Sequence, residues 1–239
     1  GKVTISNTGQ YPLEYVIPKF APDAQIEGAA NSHRYGYSWK SNMAGYGNLT
    51  WNWEDISATG TDITAFFKDN ENKYYEVALG FDFPFYGTQA DKLYLTAYGV
   101  LTLDTEGPIR NCMPPALGKD FCTPKGYISA FFAKFDLLQK GKVLYKKESG
   151  RVIFQYQDVE IANSFTQGQK ATFQIVVEQN GDIEFRYLDI ESVNSFMLES
   201  LFAAIEDPAH ADGLLASSNT NSIINKNNTV VRFSGPGAD

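Results

Sequence analysis

The chain reads as an all-β protein, an antiparallel β-sandwich of jelly-roll or Ig-like type with few or no helices. Three observations carry that reading. Turn residues recur every 8 to 15 positions, and the runs between them alternate apolar and polar with period two. No sustained 3.6-residue periodicity interrupts them. Aromatic residues make up 14% of the chain, with 14 Tyr and 17 Phe, a bias toward strands. At 239 residues there is enough chain to bury a full sandwich core.

The elements follow in order. VTISNTGQYPLEYVI (3–17) alternates on both sides of Asn7-Thr8-Gly9, a strand, a turn and a strand. Residues 1–20 therefore read as a separate strand pair or N-terminal extension, 21–50 as a Gly/Ala/Asn/Ser-rich loop or linker, and 51–239 as the sandwich. From Trp51 the strand signals become regular, through WNWEDI, TDITAFF, the polar turn KDNENK and YYEVALGFDFPFYG. The stretch 80–103 reads as two strands around a tight aromatic turn and holds nothing that does chemistry. LYLTAYGVLTL breaks its alternation at Gly99, where a turn or bulge fits. YISAFFAKFDLL is apolar up to Asp136, a carboxylate that needs a hydrogen-bond partner, a metal or water; structural pairing is the expectation. KVLYKK and RVIFQYQDVEI flank the hairpin turn Glu148-Ser149-Gly150. ATFQIVVEQNGDIEFRYLDI is the clearest hairpin, with Asn180-Gly181 as its type I′ turn. Residues 195–201 form the one short helix candidate, and SLFAAIED and TVVRF close the series.

Charge excludes some partners. A net charge of −8 with a pI near 4.8 opposes nucleic acid, which needs a basic stripe, and anionic membrane surfaces. No apolar run approaches the roughly 18 residues of a membrane span. The chain starts mid-pattern at GKVTISN, as if cut from a longer protein whose neighbouring domains would be its first partners.

Catalytic signatures are missing: there is no GxSxG, HExxH, P-loop or GxGxxG. The two histidines, His33 and His210, stand in loop-like stretches and read as surface residues. Acidic pairs such as Glu54-Asp55 and Asp158 with Glu160 occur in any acidic β-protein and do not define a glycosidase pair. No enzyme activity is expected. Cys112 and Cys122 share one Pro/Gly-rich loop; a disulfide there would contribute about 2–3 kcal/mol and imply an oxidising compartment, with two free thiols as the alternative. Zinc would need two further soft ligands nearby. The oxygen-rich turn Asp69-Asn70-Glu71 is the candidate metal site, and calcium the one cofactor left open; without EF-hand spacing, a solvated turn is the plainer reading.

The ligand-binding candidates are Tyr35, Tyr37, Trp39, Tyr46, Trp51 and Trp53, six aromatic residues within about twenty positions. Exposed rings would stack on sugars or anchor a protein partner; buried ones would plug the end of the sandwich. Asn48-Leu49-Thr50 and Asn227-Asn228-Thr229 match the N-glycosylation acceptor pattern.

Two resemblances follow from these segments. VTISNTGQYPLEYVI resembles the strand pair of choice-of-anchor or ASH-type Ig-like repeats of bacterial surface proteins. WEDISATGTDI, ALGFDFPFYG, LYLTAYGVLTL, YISAFFAKFDLL and the two hairpins after them, in that order, resemble a β-sandwich module of large secreted proteins of Bacteroidetes type, found beside subtilisin-like proteases. FPFYG and the strand after it are similar to nidogen-like extracellular domains, which makes Phe83, Pro84, Phe85, Tyr86 and Gly87 a structural signature. The chain departs from the module at Ala97-Tyr98-Gly99, where the relatives read "sNG", and at Asp136, where they carry an acidic pair. The resemblance implies a secreted or cell-surface, non-catalytic module for adhesion or protein binding at the cell surface, or an accessory carbohydrate-binding domain that takes a glycan.

Overall fold

The computed structural model describes residues 35–70, 72–105, 126–137, 140–162, 168–190, 202–209, 212–217, 224 and 226–235. Along the chain these form β1 (Ser38–Ser41), β2 (Thr61–Asp62), a single helical turn α1 (Thr64–Phe67), β3 (Tyr75–Phe85), β4 (Thr88–Leu95), β5 (Val100–Thr102), β6 (Tyr127–Ser129) and β7 (Phe135–Asp136). They continue as β8 (Lys142–Glu148), β9 (Arg151–Ile161), β10 (Lys170–Glu178), β11 (Ile183–Asp189), β12 (Ala203–Glu206), β13 (Gly213–Ser217) and β14 (Thr229–Ser234). The expected all-β class holds. An eight-stranded antiparallel sheet runs β1-β14-β11-β10-β9-β8-β2, with β7 also on β9; a six-stranded one runs β13-β12-β6-β5-β4-β3.

The core is aromatic. Phe173 lies at its middle, stacked on Tyr156 at 4.7 Å between centroids and on Phe131 at 5.8 Å, with Phe135 at 5.9 Å. Two buried tyrosines of the eight-stranded sheet reach across to the other layer. The Tyr156 hydroxyl donates to the Thr96 carbonyl at 2.6 Å, just after β4, and that of Tyr187 to the Ala130 carbonyl at 2.7 Å, just after β6. Each bond satisfies a phenol hydroxyl that would otherwise be buried without a partner.

Local chemistry sets the turns, and in one hairpin it departs from the sequence reading. In the β10–β11 hairpin, Gly181 has φ 95° while Asn180 keeps negative φ. The Gly181 N–H donates to the Glu178 carbonyl at 2.9 Å and the Glu178 N–H to Asp182 at 2.9 Å. The loop is thus three residues closed by a left-handed glycine, not the expected two-residue type I′ turn. That turn type occurs instead between β3 and β4, where Phe85 pairs with Thr88 and both Tyr86 and Gly87 have positive φ. Phe83, Phe85 and Tyr86 of that signature are buried, as the structural reading of it expects.

Three further elements differ from expectation. WNWEDI forms no strand and pairs with none. TDITAFF is not one strand: the Asp62 carboxylate accepts from the Thr64 N–H at 2.9 Å and its hydroxyl at 2.6 Å, and this starts the α1 turn. β1 lies within the stretch read as linker and pairs in register with β14, Trp39 opposite Phe233. The N-terminal strand pair and the helix candidate at 195–201 lie outside the described residues.

Candidate functional site

β1 and β2 occupy opposite edges of the eight-stranded sheet, so the chain between them, residues 42–60, must cross the whole sheet. Its contacts show which face it crosses. Gln155 and Gln174 stand between the core residues Phe154, Tyr156, Phe173 and Ile175, and therefore point outward. They are a register pair on β9 and β10, and both hold the crossing strap. Gln174 Nε2 donates to the Glu54 carbonyl at 2.6 Å and to Gln155 Oε1 at 2.7 Å. Gln155 Oε1 accepts the Ile56 N–H at 3.2 Å, and its Nε2 donates to Asp55 Oδ1 at 3.1 Å. That bond first, and the Ser57 N–H after it, hold the Asp55 carboxyl below its usual range. Beneath the strap Ile56 fills a small apolar cluster with Leu144, Ile153 and Val176.

Ion pairs fasten the strap beside this cluster. Glu54 accepts from Lys146 Nζ at 2.6 Å and from Arg151 at 2.6 Å. Glu148 engages the same two cations, Lys146 at 2.6 Å and Arg151 Nε at 2.6 Å. The Lys146 bond above all draws the Glu148 carboxyl down to about 2, so Glu148 keeps its charge well into the acid range. Further along the same outer face Glu184 lies buried between Arg186 and Arg232, accepting from Arg186 Nε at 2.8 Å and from Arg232 Nε at 2.7 Å. Burial pushes its carboxyl up, but the Arg186 charge and the bonds from both guanidinium groups outweigh burial and hold it below the ordinary range.

The six aromatic candidates divide into three places. Tyr35 is 37% exposed and joins Tyr37 and Tyr86 at the β3–β4 turn, with centroid distances of 6.1 and 5.6 Å. Tyr37 and Trp39 are core residues at 2% and 3% exposure, which removes them from reach of a ligand. Burial also pushes the Tyr37 hydroxyl above its usual range. Tyr46 is half-buried and stacks on Trp39 at 5.3 Å. Trp51 and Trp53 sit on the strap immediately before Glu54, half-buried and near-parallel, 17° between planes and 6.2 Å between centroids. The metal candidates gain no shared geometry. The Asp69 carboxylate is held by Lys73 Nζ at 2.7 and 2.8 Å, Asn70 Oδ1 accepts the Asn72 N–H, and Glu71 lies outside the described residues. Among the described residues no group of three or more His, Cys, Asp or Glu could hold a metal ion. Cys112, Cys122, His33 and His210 lie outside them.

The sequence reading missed Gln155, Gln174, Glu184, Arg186 and Arg232. Their signal is the polar phase of the alternation in FQYQ, TFQIVVE, EFRY and TVVRF, which reads as solvent-facing; the strap covers Gln155 and Gln174, and Glu184 and Arg186 are buried on the same face.

A family model described as NIDO related matches residues 46–235, from within the strap to just past β14. The chain belongs to the NIDO-related family. No curated protein and no solved structure gives a significant match. The NIDO-related match takes in both sheets except β1, and it includes the strap with its Trp pair and clamp. It agrees with the nidogen-like resemblance of FPFYG and points to a module of extracellular type. Among the described residues no helix is long and apolar enough to cross a membrane.

Proposed function

We propose that this NIDO-related domain is a non-catalytic extracellular module that binds a protein or another surface component through the strap crossing its eight-stranded sheet. It would serve adhesion within a larger secreted or surface protein of bacterial type. The observation that supports this reading most is the Trp51–Trp53 pair. Two near-parallel indoles are left partly exposed on a segment that side chains of the sheet pin down. Rigid aromatic residues of this kind lose little entropy on binding and act as anchors in interfaces. A second reading, accessory carbohydrate binding, rests on the same pair, because indole faces stack on sugar rings.

One experiment addresses both. The purified domain is passed over an array of glycans and a panel of purified extracellular-matrix and cell-surface proteins, beside the Trp51→Ala/Trp53→Ala variant. At least one ligand should bind, and its affinity should fall at least ~100-fold in the double variant, as expected for losing two anchors worth at least about 1.4 kcal/mol each. The thermal midpoint should stay close to that of the parent. Which arm responds decides between protein and glycan. Absence of any ligand, or binding that ignores the double substitution, overturns the proposal.

A further inference from the structure

Two stretches carry the Asn-x-Thr acceptor pattern, and the fold treats them in opposite ways. Asn48-Leu49-Thr50 lies at the start of the strap, between the turn after β1 and Trp51. Asn48 and Thr50 are both exposed, the segment belongs to no strand or helix, and among the described residues neither side chain makes a hydrogen bond. No backbone-to-backbone bond ties residues 47–50 among those described.

Asn227-Asn228-Thr229 is built into the sheet. Asn227 Oδ1 accepts the Ile190 N–H at 2.8 Å. Asn228 takes φ 58°, and its carbonyl accepts from Asn42 Nδ2 at 2.8 Å. Thr229 begins β14, is 1% exposed, and spends its hydroxyl on the Lys226 carbonyl at 2.9 Å. The threonine of the motif is therefore out of reach of any enzyme acting on the folded domain.

We infer that Asn48 is an N-glycan acceptor of the folded domain and that Asn227 is not. The co-reactants are a lipid-linked oligosaccharyl diphosphate and a transferase that reads Asn-x-Thr. Asn48 Nδ2 attacks the anomeric carbon of the donor sugar, and a C–N bond forms. The C–O bond to the diphosphate breaks, the lipid diphosphate leaves with the electron pair, and the amide nitrogen gives up one proton to the transferase. The glycan then projects from an exposed loop, where a bulky polar group costs the fold little. This inference does not rest on the binding reading above.

The test incubates the purified, folded domain with such a transferase and its lipid-linked donor, followed by intact-mass and peptide mapping. The expected result is one added glycan on the peptide that contains Asn48. It should be absent in Asn48→Gln and Thr50→Ala, both of which alter exposed loop positions and leave the melting curve unchanged. An unmodified domain overturns the inference, and so does a glycan mapped to Asn227.

Discussion

Replacing Gly99 with alanine is expected to remove about 2–5 kcal/mol of folding stability, the sum of a left-handed backbone penalty and a forced repacking. Gly99 has φ 74°, and a Cβ there would stand 2.2 Å from the Phe131 carbonyl oxygen and 3.1 Å from the ring of Phe173. The first contact is with backbone, so no side-chain rotation relieves it. The turn after β4 would have to move away from residues 130–133, to which it is tied by the Ala130 N–H on the Gly99 carbonyl and the Ala133 N–H on that of Tyr98. Domains of this kind are stable by only about 5–15 kcal/mol, so the variant would be marginal or fail to accumulate. Gly45→Ala is the control. Its φ is 90° and nothing lies within 4 Å of the added carbon, so it should cost only the backbone penalty of roughly 1–2 kcal/mol. Urea unfolding of the two variants checks this, and equal losses would mean that the contact with Phe131 is absent.

Truncating Phe173 to alanine should cost about 3–5 kcal/mol, in the range for emptying a fully buried aromatic site. The ring is completely buried and meets Tyr156, Phe131, Phe135 and Tyr187, so it joins both layers. Neighbouring strands cannot collapse into the gap, because the cross-layer bonds of Tyr156 and Tyr187 hold the spacing. Phe173→Leu keeps more of the volume and should lose clearly less. A loss below about 1 kcal/mol for Phe173→Ala, read from urea midpoints with unchanged slope, would remove Phe173 from the centre of the core.

The architecture was legible because period-two alternation reports burial, and burial is what a sandwich imposes. The same logic explains where the reading failed. WNWEDI alternates through Trp51 and Trp53, while the residue that packs on the sheet is Ile56, out of phase with that pair; the backbone is held by the amides of Gln155 and Gln174 and not by a neighbouring strand. Alternation cannot distinguish those two partners. The type I′ turn expected at Asn180-Gly181 is found at Tyr86-Gly87 for a related reason. The first has the preferred residues but a third loop residue, Gln179; the second has the two-residue loop but a tyrosine held at φ 47° by burial against Tyr37 and Phe85.

Of the candidate site, the aromatic cluster was visible but its division was not. Tyr37, Trp39, Trp51 and Trp53 look alike in a list of residues. Whether each ring enters the core depends on a strand pairing between β1 and β14, whose members lie almost two hundred residues apart. The buried Glu184, with its two arginines, was invisible for a similar reason, since nothing in EFRY announces that β14 will set Arg232 beside it.

The most direct test of the proposed contact face measures which tryptophans water-borne molecules can reach. Acrylamide quenching of the native domain should be dominated by Trp51 and Trp53. In a Trp51→Phe/Trp53→Phe variant the remaining emission, from Trp39 at 3% exposure, should be blue-shifted and resistant to quencher. If the native domain resists quenching as strongly as that variant does, the strap pair is sealed and cannot be the contact face.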